Sequence, residues 1–202
     1  MSGVKSRREQ YSEATKAALL EHATALFAEQ GCAGTSLEQV AAASQVTRGA
    51  VYHHFASKQA LFEAVLEAQE KRAMEEVAAA AAGATDPWEA ALRGLDAFLD
   101  KCCDPMYGRL VWQEGPTVLG WHRWRECEQK YAYGVVEHFI RSLIESGYWR
   151  ETESMDTTVR FAFWMLGGAG MALTETPEAD RQRVRDEWSQ LIRRSISGLR
   201  SQ

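Results

Sequence analysis

Four prolines in 202 residues force few breaks on this chain, and fifteen glycines leave few hinges. No stretch alternates apolar and polar side chains as a half-buried strand must. A sheet protein is thereby excluded and an all-α chain expected. No apolar run approaches the ~20 residues that cross a bilayer, so no membrane partner is expected. The first residues are polar and hold no apolar signal segment, which predicts a cytoplasmic location. Cysteine is scarce: Cys32, Cys102, Cys103 and Cys127 form no CxxC pair, so reduced, partly buried thiols are expected rather than a zinc or redox centre. GxSxG, P-loop and dinucleotide fingerprints are all missing. His122 and Glu126 lie four apart, but no third ligand joins them at motif spacing, so a solvated helix face is expected there instead of a metal. No catalytic residue, metal or cofactor is expected.

Positive charge is also short. The chain carries 23 Lys/Arg against 28 Asp/Glu, a net of −5, which taken whole argues poorly for nucleic acid. The distribution is uneven. Residues 1–58 hold six Lys/Arg and five Asp/Glu, whereas the remainder holds 17 and 23. A near-neutral head on an acidic body suits a protein that touches DNA at one end. Tryptophan divides the chain in the same place: there are seven, and none lies in the first 58 residues.

The head is organised around TSLEQVAAASQVTRGAVYHHFASK, Thr35 to Lys58. Ser36 to Ser44 reads as a helix with Leu37, Val40 and Ala41 on one face, capped by Thr35 with Glu38 reaching back. Gln45 and Val46 make a turn, and Thr47 caps a second short helix, Arg48 to Phe55. Val51 and Phe55 lie four apart and face inward, leaving Arg48, Gly49, Tyr52 and His53 outside. A helix with an apolar back and such a front fits the major groove. Arg48 is expected to read guanine edges. Thr35, Ser36, Thr47, Tyr52, His53 and Lys58 complete the expected DNA-binding set as phosphate or backbone contacts, and Gly49 leaves room for the DNA backbone. An ordinary helical hairpin with solvated polar residues fits the same pattern. Ahead of it, Ser12 to Gln30 reads as a helix ended by Gly31, preceded by a basic arm, residues 1–11, with Lys5, Arg7 and Arg8. That arm is either a solvated tail or a strand of charge that follows the phosphates.

The stretch from Ala18 to Phe62 resembles the DNA-binding domain of the TetR family of transcriptional regulators. The matching marks are Ala23 and Phe27 before Gly31, Thr35-Ser36, Val40-Ala41, Val46-Thr47, Gly49, Tyr52, Phe55, Ser57-Lys58 and Leu61-Phe62. They cover roughly the first third of the chain. There are departures. Gln45 stands where the family usually has a turn glycine, at a cost of about 1 kcal/mol if φ is positive there. Ala60 replaces an acidic residue, leaving Ser57 without a capping-box partner, and Cys32 sits where an aromatic is common.

The body is expected to be helical throughout. A long helix runs from Ser57 to about Ala82, then others over about 87–103, 105–114, 121–147, 155–174 and 178–199, punctuated by Asp86-Pro87, Asp104-Pro105, Gly115-Pro116 and Thr176-Pro177. The expected architecture is a three-helix head over residues 1–58 and a helical ligand-binding and dimerisation body over residues 59–202, about nine helices in all. Trp112, Trp121, Trp124, Tyr107, Tyr131, His138 and Trp164 are the candidate ligand-binding residues: a mostly apolar cluster with a few polar tips. An aromatic stripe at helical spacing also fits plain core. The resemblance implies the same plan, a variable helical body around a small-molecule effector, here expected to be largely apolar or aromatic. Residues 155–174 are apolar on most sides and 178–199 on one stripe, which suits a four-helix homodimer interface.

The expected function is a dimeric, ligand-responsive repressor that leaves a near-palindromic operator when an effector binds. Two alternatives stay open: a small-molecule binding module whose head is unused, and an activator with the same parts.

Overall fold

The computed structural model describes residues 6–150 and 154–199, nearly all of them helical and none in a strand. The chain divides into two units, Met1–Leu66 and Glu67–Gln202.

In the head, α1 (Arg7–Gly34) starts five residues earlier than expected, because Ser6 and Glu9 form a capping box. The Glu9 amide donates to the Ser6 hydroxyl at 3.3 Å and the Ser6 amide to the Glu9 carboxylate at 2.8 Å. Arg7 and Arg8 therefore sit in a helical first turn, and the rest of the expected arm, residues 1–5, lies outside the described residues. Gly31 breaks the helix with φ 74°, a conformation open to glycine. α2 (Leu37–Ala43) is capped by Ser36 and Gln39, one residue beyond the expected Thr35 and Glu38. Gln45 does adopt φ 55°, so the turn holds a left-handed residue without a glycine. Thr47 then caps α3 (Arg48–His54), accepting from the Ala50 amide at 3.2 Å.

α4 (Lys58–Ala81) begins at Ser57, whose hydroxyl accepts from the Ala60 amide at 3.0 Å. Its first turns belong to the head, where Leu61, Phe62, Val65 and Leu66 join Leu19, Ala23, Phe27, Val40 and Val51, all fully buried. The Phe27 and Phe62 rings meet at 5.4 Å.

The body continues from Glu67 with the rest of α4. α5 (Pro87–Cys102) is capped by Asp86, which accepts from the Trp88 and Glu89 amides. α6 spans 105–119, starting from an Asp104 cap and passing through a π-helical turn at Gly108–Glu114. Gly120, at φ 78°, separates it from α7, 121–145, which contains a second π-helical turn at Gln129–Tyr133. α8 (Met155–Glu175) and α9 (Glu178–Ser197) close the chain, making nine helices among the described residues. α9 is tied to α5 through Asp96, which accepts from Arg185, Ser189 and Arg193.

Candidate nucleic-acid interface and effector cavity

The outer face of α3 follows from its inner one. Val51 is fully buried and Phe55 nearly so, which turns Arg48, Gly49, Tyr52 and His53 to solvent. The Arg48 guanidinium pairs with the Glu38 carboxylate of α2 at 2.7 Å, donates to the Tyr52 hydroxyl at 3.2 Å, and lies over that ring. A Cβ on Gly49 would meet only the Thr47 hydroxyl, at 3.8 Å. The surface is thus open to a close partner, and Thr47, Arg48, Gly49, Tyr52 and His53 share it.

Three other expected contacts are placed differently. Thr35 is buried, and its hydroxyl donates to the Gly31 carbonyl at 2.9 Å. The expected side-chain contact to a phosphate is therefore corrected: this hydroxyl ties the end of α1. Ser36 is half-buried as the α2 cap. The Lys58 ammonium donates to the carbonyls of Cys32 at 2.6 Å and Thr35 at 2.8 Å. It neutralises the carbonyl end of α1, so its first role is to close the head rather than to stand free for a phosphate.

The body holds a cavity of about 230 Å³, lined by α4, α5, α6, α7, α8 and α9. Trp112, Trp124 and Trp164 line it as expected, among Phe98, Phe139 and Phe163. The other four expected ligand residues do not line it. Tyr107 is fully buried behind the wall and donates its hydroxyl to Glu70 at 2.7 Å. Trp121 is half exposed, stacked on Trp164 at 6.3 Å. Tyr131 and His138 are displaced by the π-helical turn at Gln129–Tyr133. One extra residue in that turn rotates everything after it by about 100°. The lining positions become Ala132 and Phe139, each one residue later than expected.

Two lining residues had no place in the sequence reading. Glu70 and Glu128 are buried side chains in a wall that is otherwise apolar but for Arg125. Burial pushes the Glu70 carboxyl up to about 7, against the opposing hydrogen bonds from Tyr107 and Glu128. Glu128 is driven well up, first by burial and then by the Glu70 charge and hydrogen bond. Oε1 of Glu128 and Nε1 of Trp124 are buried without a hydrogen-bond partner. The signal for Glu70 was available: it falls four residues after Leu66 and four before Met74, an acid in an apolar stripe.

Small residues of α8 and α5 also serve this cavity. A Cβ on Gly170 would lie 2.5 Å from the Trp112 ring, and one on Gly94 would lie 2.8 Å from Phe139. The space beside Gly170 is therefore filled by the chain's own indole.

Comparison with known proteins agrees with both parts. The model of the family described as bacterial regulatory proteins, tetR family, matches residues 19–65, and that of the tetracyclin repressor-like C-terminal domain matches residues 88–199. The transposon Tn10 TetC protein of Escherichia coli is 25% identical over 150 residues, 74% of this chain and 76% of that protein. An HTH-type transcriptional repressor of Mycobacterium tuberculosis is 49% identical over 55 residues, 27% of this chain and 29% of its own length. The crystal structure of a TetR-family transcriptional regulator from Pectobacterium atrosepticum superimposes with a TM-score of 0.83 at 27% identity, over 98% of this chain and 99% of that one.

Proposed function

The chain belongs to the TetR family of bacterial regulatory proteins, and from that premise we propose how its parts work: two copies hold two α3 helices against a near-palindromic operator, and an effector in the body cavity releases them. That it is a DNA-binding transcriptional regulator with a ligand-binding body follows from the family. The operator, the dimer and the residue roles are our reading.

The observation that carries the reading is the open face of α3, with Arg48 at its first turn beside Thr47, Gly49, Tyr52 and His53. Arg48 reads a guanine edge, and Thr47, Ser36, Tyr52 and His53 hold phosphates at the groove's rim. Dimerisation through α8 and α9 is supported by Phe161, Met171 and Leu191, which are 57%, 39% and 56% exposed in the single chain. Phe161, Trp164, Gly168 and Met171 recur at helical spacing, an apolar stripe that calls for cover. A near-palindromic operator calls for two recognition helices about one helical turn of DNA apart or somewhat more.

Release follows from population shift: the effector must prefer the spacing of the heads that does not fit DNA. Glu70, Met74 and Val77 of α4 line the cavity, and the same helix begins in the head. The apolar lining supports a largely apolar or aromatic effector. Selecting bound sequences from a random DNA pool, then screening small molecules for release, tests the whole proposal. A symmetric consensus and ligand-driven release are expected. Ligand binding with no retention on DNA would leave only a binding module, and release of activation rather than repression would make it an activator.

A further inference from the structure

The cavity is not uniformly apolar, and its exception is specific. Glu70 of α4 and Glu128 of α7 are 1% and 5% exposed and both line it. Four helices close on the pair: Tyr107 of α6 hydrogen-bonds Glu70 from behind, and the Cys102 thiol of α5 senses both carboxyls. Tyr107, Cys102 and the two glutamates are all acids, and no cation among the described residues pairs with them. Arg125, the one basic residue among the described lining residues, lies against the Trp164 ring, 5.0 Å from its centre. Oε1 of Glu128 is left with no donor at all. A buried carboxyl pair that keeps an unsatisfied acceptor in an apolar cavity is costly unless something fills it.

We propose that the effector is a lipophilic amine, whose protonated nitrogen donates to Glu128 Oε1 beside Glu70 and whose apolar body lies among Trp112, Trp124, Phe98, Phe139 and Phe163. The assignment rests on the reading of this cavity as the effector site. An ammonium supplies both things the wall lacks, a positive charge and an N–H donor. Aromatic faces around it add favourable contact with the cation. A carboxylate ligand meets two acidic groups and is rejected, and a neutral ligand leaves the pair's charge unanswered. Burial pushes Glu70 up to about 7, so this carboxyl gains its charge around neutrality. Amine binding therefore strengthens as pH rises through that range.

Three ligands on one skeleton separate charge from shape: 4-phenylbutylamine, 4-phenylbutanol and 4-phenylbutyrate, titrated into the full chain by quenching of tryptophan fluorescence. The amine is expected to bind at least about tenfold more tightly than the alcohol and the carboxylate most weakly. In the double variant Glu70→Gln, Glu128→Gln, amine and alcohol should bind alike, with alcohol binding retained as the sign that the cavity is intact. Equal binding of amine and alcohol by the native chain, or an amine preference that survives in the double variant, overturns the amine assignment while the cavity stands as an effector site. Failure of all three to bind overturns both.

Discussion

Arg48 and Glu38 are ion-paired at 2.7 Å across the turn between α2 and α3. The same guanidinium donates to Tyr52 one helical turn on. Both partners of the ion pair are largely exposed, so the contact contributes little to folding. Its consequence is for recognition. On the proposal that Arg48 reads a base, its guanidinium would exchange the Glu38 carboxylate for a guanine edge, and Glu38 would lose its partner.

Arg48→Ala should cut operator affinity roughly tenfold to a hundredfold while changing affinity for random DNA little, because base contacts specify and phosphate contacts do not. Glu38→Gln should act in the opposite direction on affinity: with one acid fewer on this face, binding to operator and to random DNA both tighten. Fluorescence anisotropy at two salt concentrations reads both. Equal losses on operator and random DNA for Arg48→Ala would remove Arg48 from base reading.

Lys58→Met is expected to act on stability first. The ammonium it removes satisfies the carbonyls of Cys32, Ala33 and Thr35, and their loss should destabilise the head by about 1–3 kcal/mol. A lowered melting temperature without DNA is the check. Unchanged melting with a flatter salt dependence of DNA binding would return Lys58 to the phosphates.

The head was legible because its signals are local. Val51 and Phe55 set which face of α3 is inside, and Thr47 sets where it starts. The cap of α2 differs from expectation by one residue and the start of α1 by five. Thr35 and Ser36 are both capping residues, and only the packing of Thr35 onto Gly31 decides between them. Even the strain at Gln45 could be foreseen from the missing glycine. The body was legible as helices but not as a site. A constant 3.6-residue period carries Trp124 to Tyr131 and His138, and the π-helical turn breaks that period where no residue type announces it. Glu70 and Glu128 escaped for another reason: an acid on a helix is usually solvated, and burial comes only from the helices that close over it.

Gly170→Ala places a methyl where the Trp112 ring now lies. The indole must move into the cavity or the helices must part, at about 1–3 kcal/mol. Effector affinity should fall and tryptophan emission shift, while operator binding without effector is retained. Loss of operator binding in a folded variant would mean that this contact does more than shape the cavity.

The exposed stripe of α8 and α9 predicts its own variant. Phe161→Glu with Leu191→Glu puts charge where cover is expected, without touching the cavity wall. Sedimentation should show a shift from dimer to monomer, and operator affinity should collapse because two half-sites are no longer bound together. A single species of unchanged mass in wild type and variant would place the dimer contact elsewhere, or remove it.

Glu70 makes stability depend on pH in a direction opposite to that of an ion-paired carboxylate. Its ordinary value is 4.5, and in the folded chain burial raises it to about 7. Below 4.5 the group is protonated whether folded or not, and it opposes folding least. Above that, the unfolded chain ionises while the folded one still holds its proton, so stability falls as pH rises and levels off only past about 7. Glu128, displaced in the same direction, adds to the fall. Melting temperatures measured without ligand from about pH 5 to about pH 8 should therefore decline. Glu70→Gln keeps an acceptor for the Tyr107 hydroxyl but removes the titration, so its decline should be shallower and its stability should exceed the native chain's at the alkaline end. Parallel curves for the two proteins would mean that Glu70 ionises as easily inside the cavity as outside it. Adding a bound amine should flatten the native curve as well, since the charge that folding had to suppress would then have a partner.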